Sequence, residues 1–343
     1  MQKIITEEGP LLDEKGRLKE SGYAKYLVKK YERSKIGASH LRIKEWDYYL
    51  VYDQNYALCL TIADNSYMGD YSVSWIDFHK EEETTKSIMT VLPNGKTGLP
   101  ESSIVGDVSF ENDKISISFK HDGDQRILDC TFPNFQDWKE LKAHVILEDI
   151  PRDSIVVMTP FKEDKKAFYY NQKINCMKAH GTVTLGDFSY MFEEDTYACL
   201  DWGRGVWTYE NTWYWSSASG VIDGHRFGFN LGYGFGDTTT HSENMLFYDG
   251  VGHKLDRIFI SIPLDEDDHE DWLHPWTFTS NDGRFGAKFV PILNRSALVD
   301  AYILKTDQNQ VFGRFYGKAI LDDDTVIDLD GILGFAEKVF NRW

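Results

Sequence analysis

Apolar and polar positions alternate frequently after residue 33, a period that predicts strands rather than helices. Residues 48–50 and 56–62 flank the turn cluster Asp53-Gln54-Asn55 and read as a hairpin. The pattern continues over 71–78 and 87–92. Asn94-Gly95 and Asp122-Gly123 suit the positive φ of tight turns, and apolar runs flank each at strand distance, a meander signature. Segments 145–147, 155–159, 182–185 and 197–200 extend it without the intervening helices that a parallel sheet requires. Further strands are predicted over 220–236, 259–263, 285–290, 301–305 and 311–321. Two stretches depart from this pattern. Residues 22–33 read as a short charged helix or an arm. Ile332, Phe335, Ala336, Val339, Phe340 and Trp343 fall at helical spacing and predict an amphipathic terminal helix.

Antiparallel strands in this number need closure or stacking to hide their edges. A mostly β chain of two tandem antiparallel barrels with short terminal helices is therefore expected. The charged run Lys162-Glu-Asp-Lys-Lys166 suggests a connection between halves, giving expected domains 1–160 and 161–343, the second carrying the site.

Composition narrows the function classes. At 343 residues with 42% hydrophobic and 15% aromatic content, the chain is globular and long enough for one large core or two smaller ones. A formal charge of -18 repels phosphate backbones and anionic lipid surfaces, so no nucleic-acid partner is expected. The start has no apolar run of signal-peptide length, and no stretch of about 18 apolar residues occurs. The expected address is cytoplasmic, without an integral membrane segment. Cys59, Cys130, Cys176 and Cys199 are scattered without C-x-x-C spacing and read as buried structural thiols.

Residues 197–236 hold eleven aromatics and eight glycines, where average composition gives about six and about three. Strand parity puts Gly228, Gly232, Gly234 and Gly236 on one face with Arg226 and Asn230, and Phe227, Phe229, Leu231, Tyr233 and Phe235 on the other. Such a glycine face either packs tightly in a barrel wall or opens a cavity in which Asn230 makes polar contacts. Asp201 and Arg204 lie where a strand runs into a glycine-loosened loop. They form either a structural ion pair or a carboxylate held by its arginine and aimed at the cavity. Trp207, Tyr209, Trp213, Tyr214 and Trp215 offer flat rings with polar tips. Glu243 and Asn244 precede an apolar strand, and an inward carboxylate there is costly unless paired or working. Asn171, Lys173 and Asn175 alternate as a polar strand face. His180 reads as a hydrogen-bonded core or surface residue or as a ligand contact, and Glu337 as a solvated charge or an Arg342 partner.

Phosphate-loop, dinucleotide, nucleophile-elbow and calcium-loop signatures are missing, and no paired histidines occur at metal spacing, so neither a metal nor a cofactor is expected.

With these residues laid out, the chain resembles the bacterial domain of unknown function 2804 family over nearly its whole length. The matching motifs are Asn171-Gln-Lys-Ile-Asn175, Leu200-Asp-Trp-Gly-Arg-Gly-Val-Trp207, Asn230-Leu-Gly-Tyr-Gly-Phe-Gly-Asp237, Glu243-Asn244, Gln310-Val-Phe-Gly-Arg314 and Gly334-Phe-Ala-Glu337. That family is distantly similar to lipocalin-like carotenoid hydratases and tocopherol cyclases, which implies paired calycin-type barrels around a small-molecule cavity. By role, Asp201 and Glu243 are the expected catalytic carboxylates. The expected ligand contacts are Lys173, His180, Arg204, Trp207, Tyr209, Trp213, Trp215, Asn230, Tyr233 and Asn244. Three functions stay open: acid/base chemistry on a small apolar or cyclic molecule without a cofactor, a carrier or sensor for such a molecule, and carbohydrate chemistry with paired carboxylates.

Overall fold

A computed structural model describes residues 2–301 and 304–342. The chain forms two curled antiparallel sheets, arranged as tandem lipocalin-like barrels. In the first, the strand order is Glu82–Val91, Met68–Asp77, Tyr56–Asp64, Ile43–Tyr52, Tyr197–Val206, Phe168–Leu185, Lys139–Glu148, Gln125–Gln136, Ser116–Asp122 and Val108–Glu111. The first long strand, Ile43–Tyr52, thus pairs with the last, Tyr197–Val206, along its whole length. The open seam falls between Glu82–Val91 and Val108–Glu111.

The second sheet repeats the scheme. Its order is Val251–Lys254, Met245–Tyr248, His225–Tyr233, Glu210–Ile222, Ile332–Arg342, Leu304–Ile320, Phe285–Ala301, Trp276–Ser280 and Ile258–Ser261. Glu210–Ile222 and Ile332–Arg342 are the closing pair. Pairing of first strand on last curls each sheet, and the seam stays open between Glu82–Val91 and Val108–Glu111 in the first and between Val251–Lys254 and Ile258–Ser261 in the second.

Both interiors are filled. Trp202, Tyr31, Tyr170 and Phe135 are fully buried in the first barrel, and Trp276, Phe278, Phe227 and Phe229 in the second. A third cluster joins the sheets, with Tyr48, Tyr52 and Cys59 from one meeting Trp215, Phe312 and Phe335 from the other. The Tyr52 hydroxyl pins this contact, accepting from the Ser219 amide at 2.6 Å and donating to the Leu333 carbonyl at 3.2 Å.

The expected terminal helices do not form. Among the described residues the helical pieces are the 3-10 turns Arg33–Lys35 and His40–Arg42, and none is long and apolar enough to cross a membrane. Residues 332–342 are a strand buried on both faces. Ile332 and Ala336 point into the second barrel while Leu333 and Phe335 point toward the first sheet. Two apolar faces on one strand mimic helical spacing, because the period-2 alternation disappears when neither face is wet. Trp343, part of that pattern, lies outside the described residues. The predicted strand 301–305 includes residues 302 and 303, also outside them. Residues 22–33 are an arm whose Gly22–Ala24 strand pairs with Ile155–Pro160.

The division expected at 160/161 does not coincide with the change of sheet. Residues 168–206, after the charged run, remain in the first sheet, and the chain passes to the second between Val206 and Glu210. The charges mark an exposed loop.

Candidate functional site

Register places two rows of side chains on facing sheets. Across five adjacent strands of the first sheet, Lys173, Asp201, Tyr48, Thr61 and Ser72 stand side by side. Across five of the second stand Gly232, Trp215, Glu337, Gln310 and Arg295. All but the glycine line one cavity of about 260 Å³, which Glu243 also enters. Trp46, Tyr169, Trp207, Trp213 and Phe235 pack one part of its wall, mostly edge to face at centroid distances such as 5.3 Å for Trp46 and Trp207. The volume is at the small end of ligand sites.

The charges are arranged in contact. Lys173 Nζ lies 2.8 Å from Asp201 Oδ2 and 3.9 Å from the centre of the Trp215 ring. Asn171 Nδ2 donates to the other Asp201 oxygen at 2.6 Å. Trp215 Nε1 donates to Asn230 Oδ1 at 2.7 Å, and Asn230 Nδ2 donates to Glu243, at 2.9 Å to its carbonyl and 3.3 Å to Oε2. Burial pushes the Glu243 carboxyl up, opposed by the Lys173 charge and the Asn230 hydrogen bond.

Glu337 accepts from Trp213 Nε1 at 3.1 Å and Gln310 Nε2 at 3.0 Å. Both bonds favour the anion, as do the charges of Lys173 and Arg295, yet burial outweighs them and raises its titration to about 7. The Tyr48 hydroxyl donates to Gln310 Oε1 at 3.4 Å, linking the two rows. This is a dry carboxyl that exchanges its proton near neutrality beside a fixed ion pair, a composition suited to general acid or base work.

Of the expected residues, Asp201, Glu243, Lys173, Trp207, Trp213 and Trp215 line this cavity, with Asn230 behind Glu243. Arg204 does not. Residues three apart on a strand face opposite sides, so Arg204 points into the first barrel. There its Nη2 meets Asp47 at 2.9 Å, and it also donates to the carbonyls of Trp46 and Pro100. The Asp201–Arg204 pair is replaced by Asp201–Lys173. Asn244 is a strut, its Oδ1 accepting from the Gly232 amide and its Nδ2 donating to the Asp256 carbonyl, both at 2.7 Å. Tyr233 stacks on Tyr214 at 4.7 Å, outside the cavity. Tyr209 is 57% exposed beside a separate surface groove. His180 is exposed, 3.6 Å from Glu148.

The glycine face does not leave open space. A Cβ on Gly228 would meet Cys176 Sγ at 2.4 Å, and one on Gly232 would meet Glu243 Oε1 at 2.6 Å. Gly232 instead makes room for the Glu243 carboxyl. Gly234 and Gly236 lie beyond the strand, at φ +97° and +72°, where face parity no longer applies.

Glu337, Gln310, Arg295, Asp70, Trp46 and Tyr48 are cavity residues that strand parity around residues 197–243 did not reveal. For Glu337 and Gln310 a signal existed, since both belong to motifs already singled out. Arg295 and Asp70 carried none. Among the described residues, no group of three or more His, Cys, Asp or Glu side chains is placed to hold a metal ion.

No curated protein matches the sequence. The fold is similar to that of a Nitrosomonas europaea protein described as AttH (NE1406), with 9% identity and a TM-score of 0.53 over 92% of this chain and 98% of that one. Kievitone hydratase from Nectria haematococca aligns at 9% identity and TM-score 0.46 over 87% of this chain and 88% of its own. CghA with Sch210972 aligns at 7% and 0.45 over 88% of each chain. At such identity the likeness to the Nitrosomonas protein establishes fold and no chemistry. Residues 2–343 match the family model described as Domain of unknown function (DUF2804), and the chain belongs to that family.

Proposed function

We propose that the inter-sheet cavity binds a small, ring-containing molecule and transforms it by proton transfer, in the manner of a hydratase, isomerase or cyclase. The observation that carries this reading is the Glu337 carboxyl, titrating at about 7 in a Trp-lined cavity shared with the Lys173–Asp201 pair. Glu337 gives or takes the proton. Glu243, pushed toward its neutral form by burial, is the second acid, oriented by Asn230. The Lys173–Asp201 pair supplies fixed charge, and the ring faces of Trp213 and Trp215 stabilise positive charge developing on the substrate. The four free, buried thiols support the cytoplasmic address.

Incubating the protein with a metabolite extract in heavy water tests this reading by mass spectrometry. A small molecule should gain deuterium with the native protein and fail to do so with Glu337→Gln. A carrier or sensor is the second reading. It is favoured by the completeness of the internal pairing, because Asp201 and Glu243 each have side-chain partners without any ligand. Recovery of a copurifying molecule that never exchanges with solvent protons would select it.

A further inference from the structure

Two cations line the cavity, and they are compensated differently. Lys173 has Asp201 at 2.8 Å. Arg295 makes no ion pair among the described residues. Its Nη1 donates to Ser74 Oγ at 2.7 Å, and its guanidinium carbon lies 5.9 Å from the centre of the Tyr48 ring. A guanidinium carries five N–H donors in a planar fork, so most of this one's capacity is unused. The cavity wall beside it contains Ser72, Gln308 and Asp70. Asp70 has Oδ1 buried without a hydrogen-bond partner, and burial pushes its carboxyl up to about 6. Asn341, also lining the cavity, has a buried Oδ1 in the same condition.

The Glu337 and Glu83 carboxylates act on Arg295 from a distance but neither is in ion-pair contact, so a planar oxyanion can seat on its remaining donors with two charge-assisted hydrogen bonds. We propose that Arg295 binds the carboxylate of the ligand, which makes the ligand an amphipathic organic anion rather than a neutral apolar molecule. The inference rests on the reading of the cavity as a ligand site and adds the ligand's charge. The second-sheet row sets the spacing. Arg295 stands two strands from Glu337 and three from Trp215, roughly 10 and 14 Å between backbones at the usual strand separation. A carboxylate on Arg295 therefore leaves one or two fused rings beside Glu337 and against the tryptophans. Asp70, when protonated, donates to the same oxyanion. When ionised it opposes binding.

Titration calorimetry at pH 7.5 with 2-naphthoate and its neutral counterpart 2-naphthalenemethanol tests the proposal. The acid should bind at least tenfold tighter than the alcohol. Arg295→Gln should collapse that ratio toward one, and Arg295→Lys should restore part of it. Asp70→Asn should tighten naphthoate severalfold, a gain that misfolding cannot produce. Equal affinity for the two probes, or a ratio untouched by Arg295→Gln, overturns the anion site. If the alcohol still binds and Trp215→Ala abolishes that binding, the cavity reading survives the loss of the Arg295 proposal. If neither probe binds, both fall.

Discussion

Glu337 and Gln310 stand opposite each other on adjacent strands, with the Gln310 amide donating to the Glu337 carboxylate at 3.0 Å. Burial wins over that bond, so folding moves the carboxyl from an ordinary value of 4.5 to about 7. Between those two pH values the folded state holds a proton that the unfolded chain has released. Native stability therefore falls as pH rises through this window, by on the order of 3 kcal/mol, and levels off above it. Glu337→Gln should escape the loss. Urea denaturation should show the variant about 1–3 kcal/mol more stable than native at pH 8 and indistinguishable near pH 4.5, while deuterium transfer is abolished.

Lys173→Met removes the cation beside Asp201 and leaves a buried, unpaired carboxylate. Breaking such a pair costs about 3–5 kcal/mol, whereas replacing both members by apolar residues costs far less. The double variant Lys173→Met/Asp201→Leu should recover most of the stability lost by the single one. A double-mutant cycle with no recovery would show that the pair is not the reason for the loss.

Gly203 lies on the cavity face of its strand, directly under Trp46. A Cβ there would sit 2.0 Å from the Trp46 ring, so Gly203→Ala has to displace the indole from Tyr169, on which it stacks at 6.0 Å. Overpacking of this kind costs about 1–3 kcal/mol. Thermal unfolding should report the loss, and red-shifted tryptophan emission should show that the aromatic wall has opened.

Arg204→Lys separates support from chemistry. The guanidinium is fully buried, pairs with Asp47 and donates to the backbone carbonyls of Trp46, Pro100 and Gly203, a geometry no ammonium reproduces. The variant should lose about 2–4 kcal/mol of stability. Yet the fraction that remains folded should bind 2-naphthoate as the native protein does.

Much of the fold was legible because turn chemistry is local. Asp122-Gly123 does join paired strands, Gly123 taking φ +60°. Asn94-Gly95 also has positive φ at both residues, but it sits in the seam loop and joins no paired strands. Within the site, the alternation of Asn171, Lys173 and Asn175 marked a polar face, and in the structure Lys173 meets Asp201 across one strand boundary. The same period of two excluded an Asp201–Arg204 pair, a constraint that spacing along a supposed loop obscured. Glu337 was hidden for a different reason. Its strand is buried on both faces, which erases alternation and leaves a pattern indistinguishable from a helix stripe. Arg295 and Asp70 reach the cavity through register alone, and register between distant strands is not written in any local stretch of sequence.

Closure of the second sheet by Ile332–Arg342 also sets the order in which the site comes into being during synthesis. Every first-sheet wall residue is made before the second sheet begins, and Glu337 follows all the other residues of both facing rows. A chain released early holds the lysine, the arginine and the indoles but not the acid that titrates near neutrality. On the proposed reading, premature termination removes the proton-exchanging carboxyl together with the strand that closes the second sheet, so site and scaffold are completed by the same segment.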